Sequence, residues 1–589
     1  MIAFLAVFVL SLSPQAPSPS APGAASPTAA QAAPAAKAPD LKNPVDEGVA
    51  WLRNSQDAKT GSYGGGVEGT AWVLRAMADC HRKYRRVDGP FVERALAYLA
   101  AQQAPDGSIH DAGADAKAVR RQTALAIMAL QRHADAQSKA VLAKALAFAG
   151  TQQLELADAD LALPASGEEA IRISNELLAR RGADKAWDGP RGKVIETARV
   201  LCVFNAATPL MTPPAKPKPA QALPGFEAAD REQALAALQR GAQYMLSQCL
   251  PEQPGIFGFG GKPNAGITAM ALGALLEVPE PREAGLQAAI DRGLGWLVSL
   301  QQANGSIHDG QVANYTTSAA ILALVRANRP EFAPVVAKAQ RYLIELQNDE
   351  AEGFSPDHPF YGGNSYGNEQ RPDLSNVQMA LEALAASGLS KDHEAYQRAL
   401  VFLQRCQNRS ESNDVRMESG EGLIVSGDDG GSGYAPGDSK AGFLELPDGR
   451  KIPRSYGSMS YALLKGYIFC GVPKDDPRMV ALMGWLSKNY TLDLNPGFQS
   501  TKDPTEAYQG LFYYFHTMGK ALALYGSEEI VDGEGTRHPW RKQLCGRLVA
   551  LQSKTDGSWV NQNSSRWYEG NPVLATSYAM LTLGQALPR

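Results

Sequence analysis

The sequence predicts an all-α protein of repeated helical hairpins, six of which close into an (α/α)6 toroid behind an N-terminal partial set of the same unit. Three observations predict it. An aromatic residue followed by Leu, three residues and Gln recurs along the chain. A Gly-containing turn follows several copies, and a second apolar helical stretch follows each turn. Self-similarity of this kind sets the architecture before any local reading does.

The full copies are Trp51, Leu52 and Gln56; Tyr98, Leu99 and Gln103; Trp296, Leu297 and Gln301; Tyr342, Leu343 and Gln347; and Phe402, Leu403 and Gln407. Degenerate copies fall at Phe148 with Gln153, Tyr244 with Cys249, Trp485 with Tyr490, and Leu548 with Gln552. Leu and Gln four apart share one helix face, so each first helix docks one stripe and sets a Gln near its C-terminal end. The turns KTGSYGG, PDGSIHD, NGSIHDG, EGFSPD and TDGSW supply the glycine that stops the helix. The unit is an outer helix, a Gly turn and an inner helix, about every 45 to 60 residues, as in helical repeats.

The chain divides by composition. Residues 2–12 are an apolar run too short to span a bilayer, and residues 13–40 are almost entirely Ala, Pro, Ser and Gly. Residues 1–40 therefore read as a signal peptide or anchor with an extended tether, predicting an extracytoplasmic protein, periplasmic or secreted. Residues 41–208 form an N-terminal helical-hairpin domain, with three clear hairpins and a poorer fourth segment around 193–204. The Pro-rich stretch within 209–228 reads as a linker, because Pro disfavours helix interiors. Residues 229–589 form the toroid, with outer helices expected near 230–249, 284–302, 333–347, 394–407, 477–489 and 538–552. A long irregular insert at 409–454 interrupts one hairpin and suggests a lid over the ring.

Charge and cysteine content exclude several classes. Lys and Arg number 57 against 61 for Asp and Glu, without a basic stripe, so no nucleic-acid partner is expected. The six cysteines are scattered without a CxxC pair, so no zinc ribbon or redox motif is present. Aromatics on the inner helices, among them Tyr315, Tyr456, Tyr508, Phe512, Tyr513 and Tyr578, predict a largely apolar cavity with polar accents. The pentapeptide GSIHD occurs at 107–111 and 305–309, where turn chemistry is favoured over a metal or proton-relay role.

The segments 293–306, with its Gly-x-x-Trp-Leu-x-x-x-Gln-x-x-x-Gly-Ser pattern, and 548–559 (LVALQSKTDGSW) resemble the QW repeats of squalene and oxidosqualene cyclases. Prenyltransferase β-subunits share that toroid. The resemblance covers residues from about Val45 onward and implies that the repeat Gln and aromatic residues tie outer helices together. Squalene cyclases open one inner helix with Asp-x-Asp-Asp, whose middle Asp protonates the substrate. Here the match is Asp373, Leu374, Ser375 and Asn376, so the protonating Asp is replaced by Ser375 and the last by Asn376. A hydroxyl is far too weak an acid for that step.

The zinc site of the prenyltransferases is expected to be missing as well. Ser375 stands where their Cys would be, and Ala575 in LATSYAML takes their His position, so neither metal nor cofactor is expected. His516 lies in a Tyr-His-Thr-like YYFHT, in a different repeat. The resemblance thus implies a divergent member that binds or transforms an isoprenoid or similar apolar molecule. Asp373 and His516 are its candidate catalytic residues, and Ser375, Asn376, Tyr456, Tyr508, Phe512 and Tyr513 its candidate ligand contacts. Membrane-surface association is compatible with such a ligand. A non-catalytic envelope scaffold and a carbohydrate-active α/α-barrel enzyme, using carboxylates such as Asp373, Glu421, Asp503 and Glu506, are the alternatives.

Overall fold

The computed structural model describes residues 38–588 apart from 87–89, 134, 153, 155–160, 162, 212–222, 368–370, 420–421, 447–448 and 499–502. The signal-like run and its tether lie outside the described residues, as does most of the Pro-rich stretch.

Among the described residues seven helices make up the N-terminal part: α1 (Lys42–Asn54), α2 (Gly66–Asp79), α3 (Pro90–Ala101), α4 (Ala116–Arg132), α5 (Ala136–Thr151), α6 (Gly167–Ala179) and α7 (Lys193–Met211). The poorer segment around 193–204 is in fact the long buried helix α7, which packs on α1, α2 and α6. It runs through Pro209, so residues 209–211 belong to the helix and not to a linker. Pro209 falls in the last turn, where it forgoes one bond to the carbonyl four residues back and only two helical residues follow it.

Twelve helices follow in outer and inner pairs: α8 (Ala228–Ser247) with α9 (Ala265–Leu275), α10 (Ala284–Ser299) with α11 (Ala313–Arg326), and α12 (Ala333–Glu345) with α13 (Leu374–Ala386). The other three pairs are α14 (Glu394–Cys406) with α15 (Gly457–Phe469), α16 (Pro477–Lys488) with α17 (Leu511–Tyr525), and α18 (Trp540–Leu551) with α19 (Pro572–Ala586). Each inner helix packs on the next, and α19 packs back on α9, so the ring is closed. Buried apolar side chains form two clusters, one within residues 41–207 and one within 234–586.

The repeat Gln is what joins neighbouring units. Gln301 Nε2 donates to Gly305 O at its own turn and to Val335 O on the next outer helix, at 3.0 and 2.9 Å. Gln347 does the same with Gly362 and Ala395, and Gln407 with Gly430 and Arg478. Gln552 reaches Gly557 and Ala237 of α8, sealing the ring. In the N-terminal part Gln56 joins Gly61 to Phe91, and Gln103 joins Gly107 to Val141. The turn glycine is needed for space as well as for its left-handed backbone: a Cβ on Gly362 would stand 1.9 Å from Arg398 O.

The loops following α3 and α10 also cap earlier inner helices. Asp111 of the first GSIHD accepts from Val67 N at the start of α2, and Asp309 of the second accepts from Ala265 N at the start of α9. Both pentapeptides are therefore capping turns.

The 409–454 insert holds the main departure from an all-helical pattern. It forms a four-stranded sheet of β3 (Arg416–Ser419), β4 (Gly422–Val425), β5 (Phe443–Glu445) and β6 (Lys451–Pro453), ordered β3-β4-β6-β5. Two two-residue ribbons, β1 (Gly258–Phe259) with β2 (Lys262–Pro263) and β7 (Ile530–Val531) with β8 (Arg537–His538), decorate other loops.

Candidate functional site

All six inner helices run the same way, so the ring has one mouth at their N-terminal ends and another at their C-terminal ends.

At the N-terminal mouth Asp373 caps α13. Its Oδ1 accepts from Asn376 N and its Oδ2 from Asn376 Nδ2, both at 2.9 Å. Burial raises the Asp373 pKa above the ordinary carboxylate value, while the Asn376 N–H and the Tyr434 hydroxyl pull it back down without cancelling the rise. Tyr434 comes from the insert, pairs with Tyr366 at 3.2 Å, and offers its carbonyl to Leu374 N. The insert thus covers the start of α13. Asn376 is also a cross-tie, accepting from Asn314 Nδ2 of α11 at 3.2 Å.

Ser375 is half-buried and shares a hydrogen bond with the Tyr513 hydroxyl at 2.8 Å; that hydroxyl also accepts from Gln378 Nε2 at 3.1 Å. Tyr315 and Tyr578 bring their hydroxyls to 3.4 Å. The remaining candidates pack. Tyr456 is buried edge-on to Phe498, Phe512 is buried edge-on to Phe515, and Tyr508 gives only its carbonyl, to Asn561 Nδ2.

One carboxyl here carries no motif in the sequence. Glu569 is buried in the loop before α19 and accepts from Tyr513 N at 2.8 Å and Asn561 Nδ2 at 2.7 Å. Burial lifts its pKa from 4.5 to about 7 although the N–H groups opening α17 work against the rise. It caps α17 as Asp309 caps α9, with both oxygens engaged.

His516, in the second turn of α17, lies between the two mouths. It is tied to the Asp373 side through a chain of contacts: ring against Tyr578, Tyr578 against Tyr513, Tyr513 to Ser375. It lines a cavity of about 590 Å³ near the C-terminal ends of the inner helices. The wall is largely apolar, with Ala269, Met270, Ala319, Leu322, Ala323, Met379, Phe469 and Leu581 among its residues, and is broken by Arg326, Glu382, His516, Lys520 and Gln585. Of the tyrosines expected to line a cavity, Tyr315 and Tyr578 pair their hydroxyls with each other, and Tyr513 bonds Ser375 and Gln378.

The polar side chains form a connected cluster. Lys465 Nζ lies 2.5 Å and Lys520 Nζ 3.0 Å from the two oxygens of Glu382. Burial would raise the Glu382 pKa; the two ammonium groups override it and hold the carboxylate well below its usual range. Beside them Arg326 pairs with Glu277. Burial drives the His516 pKa down to about 3, so its imidazole is neutral, and its Nδ1 is buried without a hydrogen-bond partner. Glu382 and Lys465 sit inside the apolar runs of α13 and α15 and carry no motif, so the sequence held no signal for them.

Among the described residues no three His, Cys, Asp or Glu side chains come together to hold a metal, and all six cysteines are free thiols.

Residues 262–424 match the family described as squalene-hopene cyclase C-terminal domain. That match spans part of the helical ring, which its own inner-helix contacts close into an (α/α)6 toroid. No curated protein matches the chain in sequence. Similar solved structures include a type II terpene cyclase from Scytonema in complex with geranylgeranyl dihydroxybenzoate, at 13% identity, covering 61% of this chain and 99% of that one, with a TM-score of 0.36. An unsaturated glucuronyl hydrolase specific for heparin gives 13% identity, 61% and 96% coverage and a TM-score of 0.36. The ent-copalyl diphosphate synthase of Streptomyces platensis gives 14% identity, 61% and 92% coverage and a TM-score of 0.21.

Proposed function

We propose that the ring binds an isoprenoid or similar apolar molecule in the cavity at the C-terminal ends of its inner helices. The observation that carries this reading is the cavity itself: about 590 Å³ with walls mostly of Ala, Leu, Met, Val and Phe. That volume lies within the roughly 300–1,000 Å³ typical of small-molecule sites, and apolar walls with a few polar groups fit the same class.

The N-terminal mouth argues for binding ahead of proton-initiated cyclisation. The carboxyl groups there, Asp373 and Glu569, each spend both oxygens on capping and cross-linking, and Ser375 offers only a hydroxyl. An acid that protonates an alkene must present its proton to the substrate. The carbohydrate-active alternative gains nothing from Asp503, which is exposed and caps a short turn, while Glu421 lies outside the described residues.

The test is extraction of the purified full chain with organic solvent followed by mass spectrometry. A stoichiometric apolar molecule is expected from the wild type and none from Gly273→Trp, which fills a wall position whose Cβ would meet only Leu581, at 3.8 Å. A wild type that yields no apolar molecule and takes up no added farnesol would sink the reading and leave a scaffold role. Export is proposed from residues 2–40 alone, and cell fractionation of the full chain decides it.

A further inference from the structure

We propose that the ligand of this cavity is an amphiphile with a single anionic head, a carboxylate or phosphate monoester, and that Lys520 and His516 receive that head. The proposal rests on the reading of the cavity as an apolar-ligand site and specifies which apolar molecule it takes.

Among the described residues, the cluster holds three cations, Arg326, Lys465 and Lys520, and two carboxylates, Glu277 and Glu382. Arg326 is matched by Glu277. Lys465, fully buried, closes on Glu382 at 2.5 Å and neutralises it. Burial pulls the Lys465 pKa down while Glu382 holds it up, and Lys520, 3.0 Å from the other oxygen, shares that carboxylate; with both ammonium groups counted, three cations meet two carboxylates. A buried charge without its own counter-ion is costly, and a bound anion removes that cost.

Lys520 is also the member of the cluster placed to use a ligand. Its side chain keeps 19% of its surface whereas Lys465 keeps none, and it lines the cavity. One turn earlier on α17 stands His516, 8% exposed, with Nδ1 buried and unpartnered. Residues four apart share a helix face, so the ammonium and the imidazole present to one place. A neutral imidazole carries one N–H, and with that proton on Nδ1 it donates to an anion.

A simpler account must be weighed. The inner helices end at this mouth, and cations in a last turn suit the carbonyl end of a helix by about 0.3–1 kcal/mol. That account covers Arg326 alone, since α17 has no cation in its last turn. It gives no reason for an unsatisfied imidazole nitrogen in the same wall, which stays costly until something bonds to it. The apolar wall then takes the tail: at ~30 Å³ per water-sized unit, 590 Å³ accommodates roughly twenty heavy atoms.

The experiment titrates the full chain, stripped of lipid, with farnesoic acid, farnesyl phosphate and farnesol by calorimetry at neutral pH and low salt. At least one anion is expected to bind about tenfold or more tighter than the alcohol, and whichever anion gains identifies the head. Lys520→Met is expected to erase that gain, bringing the anion down to the affinity of the alcohol, and Lys520→Arg to retain it. If Lys520→Met fails to fold, the wild-type ratio of anion to alcohol and the Lys520→Arg ratio still decide. Equal binding of all three compounds would overturn the anionic head while leaving the apolar reading intact. Binding of none would bring down the apolar reading and this proposal together. A preference that survives Lys520→Met in folded protein would also overturn it.

Discussion

Glu569 illustrates how far a single side chain can be set against its surroundings. Four groups bond to its carboxylate: the N–H groups of Leu511, Phe512 and Tyr513, and the Asn561 amide; yet burial dominates and its pKa rises from 4.5 to about 7. An acid held up in the fold binds its proton more tightly there than in the unfolded chain. Its contribution to stability is therefore full below pH 4.5 and lost as pH climbs to about 7. At 1.36 kcal/mol per unit the loss is on the order of 3 kcal/mol. Denaturant melts at pH 5 and pH 8 should show that fall in the wild type and a much smaller one in Glu569→Gln, which stays neutral. Equal slopes in the two proteins would mean that another group controls the window. Of the residues that matter at this scale, Asp373, Ser375 and His516 were legible because motifs marked them. Glu569, Glu382 and Lys465 were not, since each owes its role to neighbours contributed by other hairpins.

At the scale of elements, the repeat that was easiest to read is the part that holds the ring together. Each Gln donates to its own turn and to the next outer helix, so one residue type spaced by the hairpin fixes both hairpin and neighbour. The outer helices consequently fall where the spacing puts them, within a few residues of each predicted end. The insert was harder: its strands are three or four residues long, too short to display alternation, and its sheet became visible only as folded structure. The closing Gln552 gives the sharpest test of the mechanism. Replacing it with Leu removes the donors to Ala237 O and Gly557 O and the acceptor used by Arg240. Unpaired buried groups cost about 1–3 kcal/mol each, so a loss of roughly 2–5 kcal/mol is expected. Cys249→Ala, at a unit that never had the Gln, should cost clearly less. Comparable losses from the two would mean that the Gln bonds do not carry the joint.

At the scale of the molecule the question is how the N-terminal hairpins and the ring act on each other, given that their cores are separate. We treat them as two domains, a division proposed from the sequence and tested by their melting. The contact between them is polar and centred on the insert. Glu411 sits at the insert's start with its side chain 2% exposed, receives Arg82 Nη1 at 2.7 Å, and is bonded by the Tyr84 hydroxyl at 3.1 Å. Arg53 donates to Ser410 O beside it at 3.2 Å. The same insert reaches the start of α13 through Tyr434, so one segment touches both the N-terminal hairpins and the mouth of the ring. Breaking a buried ion pair by removing one partner costs about 3–5 kcal/mol, because the other is left buried and unpaired. Here the cost falls on the joint and not on either core. Calorimetry of Glu411→Ala is therefore expected to split a coupled melt, with the smaller N-terminal core unfolding first and the ring keeping most of its own melting temperature. Arg82→Met with Glu411→Met should recover much of the coupling by removing both charges. A single transition shifted downward as a whole in Glu411→Ala would show instead that the two cores are coupled by more than this bridge.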